Sequence, residues 1–128
     1  MAKKTAVSIV DDDESVREAM TGLMRSVGYS AIAFPSAEGF LTSRRRGATA
    51  CLIVDVQMPG MTGLELHNRL IASGEPIPTI LITAYPDERM RAQALNGVLC
   101  YLAKPFSESE LLACIHSALR HQSENERE

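Results

Sequence analysis

The stretch ACLIV, residues 50–54, followed directly by Asp55, decides the fold of this chain. Its five small or apolar residues leave no polar face, which is typical of a parallel strand that helices cover on both sides. The stretch ILI, residues 80–82, has the same character. We therefore predict an α/β protein built on a parallel sheet.

Five strand-length apolar runs occur, and helical patterns lie between them. The runs cover residues 6–10, 30–34, 50–54, 79–82 and 98–102. Segments 36–46 and 86–95 are predicted to form the second and fourth helices. Apolar residues at helical spacing mark the first and fifth helices most clearly, through Val16, Met20, Leu23, Met24 and Val27, and through Leu111, Leu112, Ile115, Ala118 and Leu119.

This alternation predicts a (βα)5 chain. Right-handed crossovers leave either an open sheet or part of a barrel, and five units are too few for an eight-stranded barrel. The expected fold class is therefore α/β with a doubly wound parallel sheet.

Sequence signals also predict where helices begin and end. The segments TGLE, residues 62–65, and SESE, residues 107–110, have the form of a capping box, and Asp13 is suited to cap a helix that starts at Glu14. Helix ends are predicted at three glycines, namely Gly28, Gly47 and Gly74.

The composition indicates one compact domain, because 128 residues with 45% hydrophobic content suit a single core. The formal net charge is -3 and the cations are scattered, so we expect no direct binding of nucleic acid by this chain. The one basic run, residues 44–46, is interpreted as the solvated end of a helix. No run approaches the roughly 18 apolar residues of a membrane span, so a cytoplasmic location without membrane contact is expected.

Polar residues follow the ends of four predicted strands. These are the acidic run 11–13, then Asp55, Thr83 and Lys104. Each alone has an ordinary explanation as a helix cap, a turn, a strand end or a solvated charge. Ligands of open α/β sheets, however, bind outside the carboxyl ends of the strands, so we predict one shared site there.

Clustered carboxylates at this edge favour a bound cation. Two carboxylates about 5 Å apart repel by roughly 3 kcal/mol at an effective dielectric near 20. Because only oxygen ligands are on offer, Mg²⁺ is the best match. A carboxylate beside Mg²⁺ could attack a phosphoryl group, with Lys104 and Thr83 binding the transferred oxygens. No GxxxxGK[ST] or GxGxxG loop occurs, so the expected donor is a phosphorylated protein.

Four separated motifs resemble those of receiver domains of two-component response regulators. They are IVDDD at residues 9–13, DVQMPGMTG at 55–63, TA at 83–84 and YLAKPF at 101–106. The sequence of residues 58–61 is most similar to that of receivers of the nitrogen-fixation regulator type. The resemblance spans about residues 5–121 and implies a three-layer α/β/α fold with the flavodoxin-like strand order 2-1-3-4-5. The resemblance implies that residues 1–121 form a receiver domain.

The resemblance implies a role for each site residue. Asp55 is the phosphoacceptor, and Mg²⁺ is held by Asp11, by Asp12 as a direct ligand, by Asp55 and by the backbone carbonyl of Gln57. Asp13 is expected to cap a helix, and the side chain of Gln57 is not expected to matter for coordination.

The resemblance also implies a switch near the fifth strand. Lys104 binds the phosphoryl group, Thr83 and Tyr101 form the switch pair, and the Lys104–Pro105 peptide is expected to be cis. The segment before Gly97 is one residue shorter than is usual in such domains, which predicts a short or deformed fourth helix.

The implied partner is a histidine kinase or a phosphotransfer protein, and phosphorylation could drive a homodimer through the fourth and fifth helices. The only catalysis implied is Mg²⁺-dependent self-phosphorylation and autodephosphorylation. The polar segment 122–128 fits either a natural tail or the start of a linker to an output domain that binds DNA. A phosphatase that uses an aspartyl intermediate is disfavoured, since Gln57 stands where its acid would be. A flavin-binding module is disfavoured by the acidic run 11–13.

Overall fold

A computed structural model describes residues 6–88, 92 and 100–127, and the side chains of those residues up to 120. Its five strands form one parallel sheet in the order β2-β1-β3-β4-β5. This confirms the predicted doubly wound sheet and its strand order. The strands are β1 Ala6–Val10, β2 Ser30–Phe34, β3 Thr49–Asp55, β4 Thr79–Thr83 and β5 Cys100–Ala103.

Helices connect the strands and cover both faces of the sheet. None of the helices in the described part of the chain is long and apolar enough to cross a membrane. The helices are α1 Glu14–Ser26, α2 Ala37–Thr42, a short 3-10 helix Arg44–Ala48, α3 Gly63–Ala72 and a C-terminal helix Glu108–Arg127.

Strand β3 lies at the centre and is buried along its whole length. Cys51 and Ile53 join the apolar cluster that α1 and the C-terminal helix cover, whereas Leu52 and Val54 join the cluster that α2 and α3 cover. Alternate residues of a strand point to opposite faces, so one continuous apolar run supplies both cores. The predicted three-layer α/β/α arrangement is thus confirmed.

The predicted second helix, residues 36–46, is wrong in its second half. Helix α2 ends at Thr42, and Ser43 has extended backbone angles. The Ser43 hydroxyl accepts a hydrogen bond from the N–H of Arg45, which starts a 3-10 helix in place of a continued α-helix. Serine competes with helical hydrogen bonding through such local bonds.

Of the three predicted helix-ending glycines, two behave as expected. Gly28 and Gly74 follow α1 and α3 with φ angles of 94° and 75°. Gly47 lies inside the 3-10 helix, so the prediction that it ends the second helix is wrong. The basic run 44–46 forms that 3-10 helix, and Arg46 makes an ion pair of 3.0 Å with Glu75.

Two of the three predicted caps are complete in the structure. The Asp13 carboxylate accepts the N–H groups at the start of α1, and Thr62 and Glu65 form a complete capping box at α3. Hydrogen bonds from Thr62 hold the pKa of Glu65 below its ordinary value. At the C-terminal helix only half of the box forms, because the Ser107 hydroxyl accepts the Glu110 N–H and itself donates to the Glu110 carboxylate.

Some predictions fall on residues outside the described part of the chain. These include most of the predicted fourth helix, the shortened segment before Gly97 and the first two residues of the predicted fifth strand. They stay predictions. Strands β3 and β4 are longer than predicted, since each includes the polar residue that follows its apolar run, Asp55 and Thr83.

Candidate functional site

The parallel register brings the polar strand ends to one edge of the sheet. Val10 pairs with Val54, Asp55 with Ile82, and Thr83 with Ala103. The carboxyl ends of the four strands are therefore level, and they place Asp11, Asp55, Thr83 and Lys104 along one line. Asp11, Asp55 and Thr83 are buried, with exposed fractions of 5%, 8% and 0%.

Asp55 is held at both carboxylate oxygens. The ammonium of Lys104 lies 3.1 Å from Oδ2, and the backbone N–H of Gln57 donates to Oδ1 at 2.8 Å. The Lys104 backbone N–H donates to the Thr83 carbonyl at 2.8 Å, and the Lys104–Pro105 peptide is cis as expected. Since strand pairing fixes the Lys104 backbone beside β4, its ammonium is directed at Asp55.

Asp11 is the second buried carboxylate of the edge. Its Oδ1 accepts the Asp13 N–H at 2.8 Å, and the guanidinium of Arg17 donates to its backbone carbonyl at 2.8 Å. Burial raises the pKa of Asp11 above its ordinary value in spite of the hydrogen bond from Asp13, and the charges of Asp55 and Asp12 raise it further. The carboxylates are thus close enough to repel one another.

The donor set fits a hard cation. Within the part of the chain that the structure describes, no three His, Cys, Asp or Glu side chains are already converged on one point. Burial is the main cause of the raised pKa of Asp11, and the negative charge of the neighbouring Asp55 raises it further. Asp12 is exposed next to Asp11. Carboxylate and carbonyl oxygens with excess negative charge are what Mg²⁺ prefers, and its waters would occupy the remaining positions.

Thr83 makes a contact that the sequence did not predict. Its buried hydroxyl donates to the side-chain oxygen of Gln57 at 2.8 Å and accepts the Tyr85 N–H at 3.0 Å. The side chain of Gln57 therefore contacts the predicted switch residue. No sequence signal could have found this bond, because it joins the end of β4 to the loop that follows β3.

Tyr101, the other predicted switch residue, lies on β5 and is partly exposed. Its hydroxyl accepts the Asp87 N–H at 3.4 Å. An open pocket of about 260 Å³ borders it, lined by Pro86, Asp87, Glu88, Tyr101 and Ala103. The ring thus stands between the sheet edge and an accessible surface.

Gly63 is a further residue on which the site depends. A Cβ built at Gly63 would lie 2.6 Å from the carbonyl oxygen of Asp55, which is closer than real atoms approach. Helix α3 can therefore begin against the Asp55 backbone only because residue 63 has no side chain. A glycine in the first turn of a predicted helix is a sequence signal for such close packing.

A doubly wound sheet with a buried aspartate, an acidic neighbour, a lysine and a threonine at its carboxyl edge defines a receiver domain, the phosphoacceptor class of two-component signalling. The family model described as the response regulator receiver domain matches residues 7–116. The chain belongs to this family.

Three similar proteins agree with this assignment. The response regulator protein TodT of Pseudomonas putida is 42% identical over 119 residues, covering 92% of this chain and 52% of TodT. The transcriptional regulatory protein FixJ of Bradyrhizobium diazoefficiens is 33% identical over 121 residues, covering 94% of this chain and 59% of FixJ. The solved structure of the response regulator StyR superposes with a TM-score of 0.87 at 40% identity, covering 95% of this chain and 62% of StyR.

These relatives extend beyond the matched region. The chain spans 52% to 59% of the length of the two curated relatives. The similarity to FixJ is consistent with the predicted nitrogen-fixation regulator subgroup.

Proposed function

We propose that Asp55 accepts a phosphoryl group and that the resulting aspartyl phosphate changes the surface of the domain. The observation that carries this proposal is the environment of the Asp55 carboxylate. It ends the central strand, is 8% exposed, and lies 3.1 Å from the ammonium of Lys104. A nucleophilic carboxylate needs such a placement, in which one side opens to the donor and a cation awaits the transferred oxygens.

The proposed step is a transfer between two proteins. The N–P bond of a phosphohistidine on a histidine kinase or phosphotransfer protein breaks as an O–P bond to an Asp55 oxygen forms. The histidine nitrogen keeps the electron pair. The Lys104 ammonium would bind the transferred phosphoryl oxygens, and the Thr83 hydroxyl would donate to one of them once its bond to Gln57 is broken.

Mg²⁺ is the proposed cofactor of this step. We assign it to Asp11, Asp12, Asp55 and the backbone carbonyl of Gln57, where it would neutralise charge between the carboxylates and the incoming group. Arg17 holds the Asp11 carbonyl, and the Asp13 N–H holds the Asp11 side chain. Both contacts keep the Asp11 carboxylate in place while its charge is unfavourable.

The proposal includes the switch through Thr83 and Tyr101 and the cellular location of the domain. Thr83 moving toward the phosphoryl group would vacate space for Tyr101, whose ring borders an open pocket. The same site would support self-phosphorylation from small donors and slow autodephosphorylation. We place this activity in the cytoplasm, with residues 1–121 as the receiver and residues 122–128 as either a polar tail or the start of a linker.

The test is the intact mass of the protein after incubation with acetyl phosphate and Mg²⁺. We expect an adduct of about 80 Da, the mass of one phosphoryl group, that requires Mg²⁺. The matched control is Asp55→Asn, which keeps the shape of the side chain and loses the nucleophile. An adduct of equal yield in Asp55→Asn, or none in the wild type with several donors, would contradict the proposal.

A further inference from the structure

The side chain of Gln57 has no part in the site that the sequence predicts, yet it lies within it. Its oxygen accepts the Thr83 hydroxyl at 2.8 Å, and its backbone N–H donates to Asp55 Oδ1 at 2.8 Å. One residue therefore connects the phosphoacceptor to the switch hydroxyl. Gln57 is exposed, whereas Thr83 is fully buried. An exposed amide can release its partner without leaving a buried polar group of its own unsatisfied.

The Thr83 hydroxyl has a single proton and can donate it to one acceptor at a time. In the structure that acceptor is Gln57, and the Tyr85 N–H donates to the same hydroxyl oxygen at 3.0 Å. Donation to a phosphoryl oxygen on Asp55 would therefore require the bond to Gln57 to break. The bond belongs to the unphosphorylated conformation alone and stabilises it relative to the switched one.

We propose that Gln57 is a positioning residue that holds the Thr83 hydroxyl away from Asp55 and so lowers the switched population before phosphorylation. This inference rests on the proposed phosphorylation of Asp55 and deepens it. A neutral hydrogen bond of ordinary net strength shifts an equilibrium constant about two- to tenfold. Removing the bond should raise the population of the switched state by that factor. The affinity for any ligand that selects the switched state should rise by the same factor.

The variant Gln57→Met tests this, because it keeps the length of the side chain and removes the acceptor. The first readout is the ¹H–¹⁵N resonance of Tyr85 without any phosphodonor. We expect it to move toward its position in the protein saturated with Mg²⁺ and beryllofluoride, a mimic of a phosphoryl group on a carboxylate. The control Asn68→Leu removes an exposed amide on α3 and should leave this resonance in place.

The second readout is the dissociation constant of beryllofluoride at saturating Mg²⁺, which we expect to fall about two- to tenfold in Gln57→Met. The same substitution is then made in Thr83→Val, which has no hydroxyl to hold. There it should change the constant by less than the error of the measurement. An equal change in both backgrounds would mean that Gln57 acts directly on the ligand, and this would overturn the inference.

Failure of the inference and failure of the proposed function give different results. If the wild type binds beryllofluoride at Asp55 and Gln57→Met changes neither the Tyr85 resonance nor the affinity, only the inference is overturned. If neither beryllofluoride nor acetyl phosphate reacts at Asp55 in the wild type, the proposed function fails, and the inference fails with it.

Discussion

Asp11 carries a charge that its buried position disfavours. Burial, and then the carboxylate of Asp55, raise its pKa above the unfolded value, so the folded protein binds that proton more tightly. Its contribution to stability is favourable at low pH and is lost as the pH rises through the folded pKa. Asp11→Asn removes the charge, and its oxygen can still accept the Asp13 N–H.

We expect Asp11→Asn to raise the free energy of unfolding by about 1 to 3 kcal/mol at pH 7 in chelator. The gain should shrink as the pH falls through the pKa of Asp11, because the wild type then carries the neutralising proton. Urea denaturation followed by circular dichroism measures this. The control Glu18→Gln, an exposed acid on α1, should change stability by less than about 0.5 kcal/mol. A variant less stable than the wild type under these conditions would refute the electrostatic explanation.

The same pair of proteins tests the metal site. Mg²⁺ should raise the stability of the wild type, since a bound cation relieves the repulsion between Asp11 and Asp55. When the free Mg²⁺ concentration is ten times the dissociation constant, binding would raise the free energy of unfolding by about 1.4 kcal/mol. Asp11→Asn should gain much less. Equal stabilisation of both proteins by Mg²⁺ would place the cation elsewhere.

Thr83 should matter for the response and not for the chemistry. Moving a population from 1:99 to 99:1 takes roughly 5.5 kcal/mol, whereas one hydrogen bond to a charged group supplies about 1.5 to 3 kcal/mol. Thr83→Ala should therefore still form the Asp55 adduct but populate the switched state less, by at most about a hundredfold, because the bond to Gln57 in the unswitched state is lost as well. The chemical shift of Tyr101 before and after phosphorylation measures this, with Thr83→Ser as the control that retains the hydroxyl. A full response in Thr83→Ala would contradict the prediction.

Among the secondary-structure elements, helix α3 has the closest relation to the site. Its first residue, Gly63, lies against the Asp55 carbonyl, where a Cβ would come within 2.6 Å. Gly63→Ala should therefore lower the free energy of unfolding by about 1 to 3 kcal/mol and shift the Asp55 backbone. We expect slower formation of the phosphoryl adduct as a result.

Helix α1 provides the matched control. A Cβ at Gly22 meets no atom within 4 Å, so Gly22→Ala should raise stability by about 0.5 to 1 kcal/mol through helix propensity. The two substitutions are chemically identical and should change the free energy of unfolding in opposite directions in the same urea titration. If Gly63→Ala proved neutral, the contact between α3 and Asp55 would not be as close as the structure indicates.

The secondary-structure elements show which features of the structure could be predicted from the sequence and which could not. Apolar runs were enough to predict the parallel sheet, and the rule for carboxyl ends of strands was enough to place Asp11, Asp55, Thr83 and Lys104 at one edge. The strand order came from the resemblance to receiver domains, because periodicity does not report it. The break at Ser43 and the Gln57 bond to Thr83 could not be predicted. Each depends on the backbone path of a loop, which one hydrogen bond can redirect and no periodicity reports.

For the whole molecule, the sheet edge connects the phosphoacceptor to a distant surface. Thr83 pairs with Ala103 across β4 and β5, and Tyr101 lies two residues before Ala103 on the same strand. Lys104 follows directly, and its ammonium would be drawn to the roughly two negative charges of a phosphoryl group. If Asp55 is phosphorylated as proposed, we expect the resulting movement to reach the pocket beside Tyr101 and the loop that leads to the C-terminal helix.

We expect this change to promote a homodimer through the fourth predicted helix and the C-terminal helix. A stable interface buries about 1,000 Å² or more, which requires a surface rearranged over several residues and not one side chain alone. Sedimentation velocity of the full chain with Mg²⁺ and beryllofluoride should show a shift from monomer to dimer that grows with protein concentration. Asp55→Asn should stay monomeric, and Thr83→Ala should dimerise more weakly than the wild type. Dimerisation of equal strength in Thr83→Ala would separate assembly from the switch, because it would mean that the charge on Asp55 acts without the movement of the Thr83 hydroxyl.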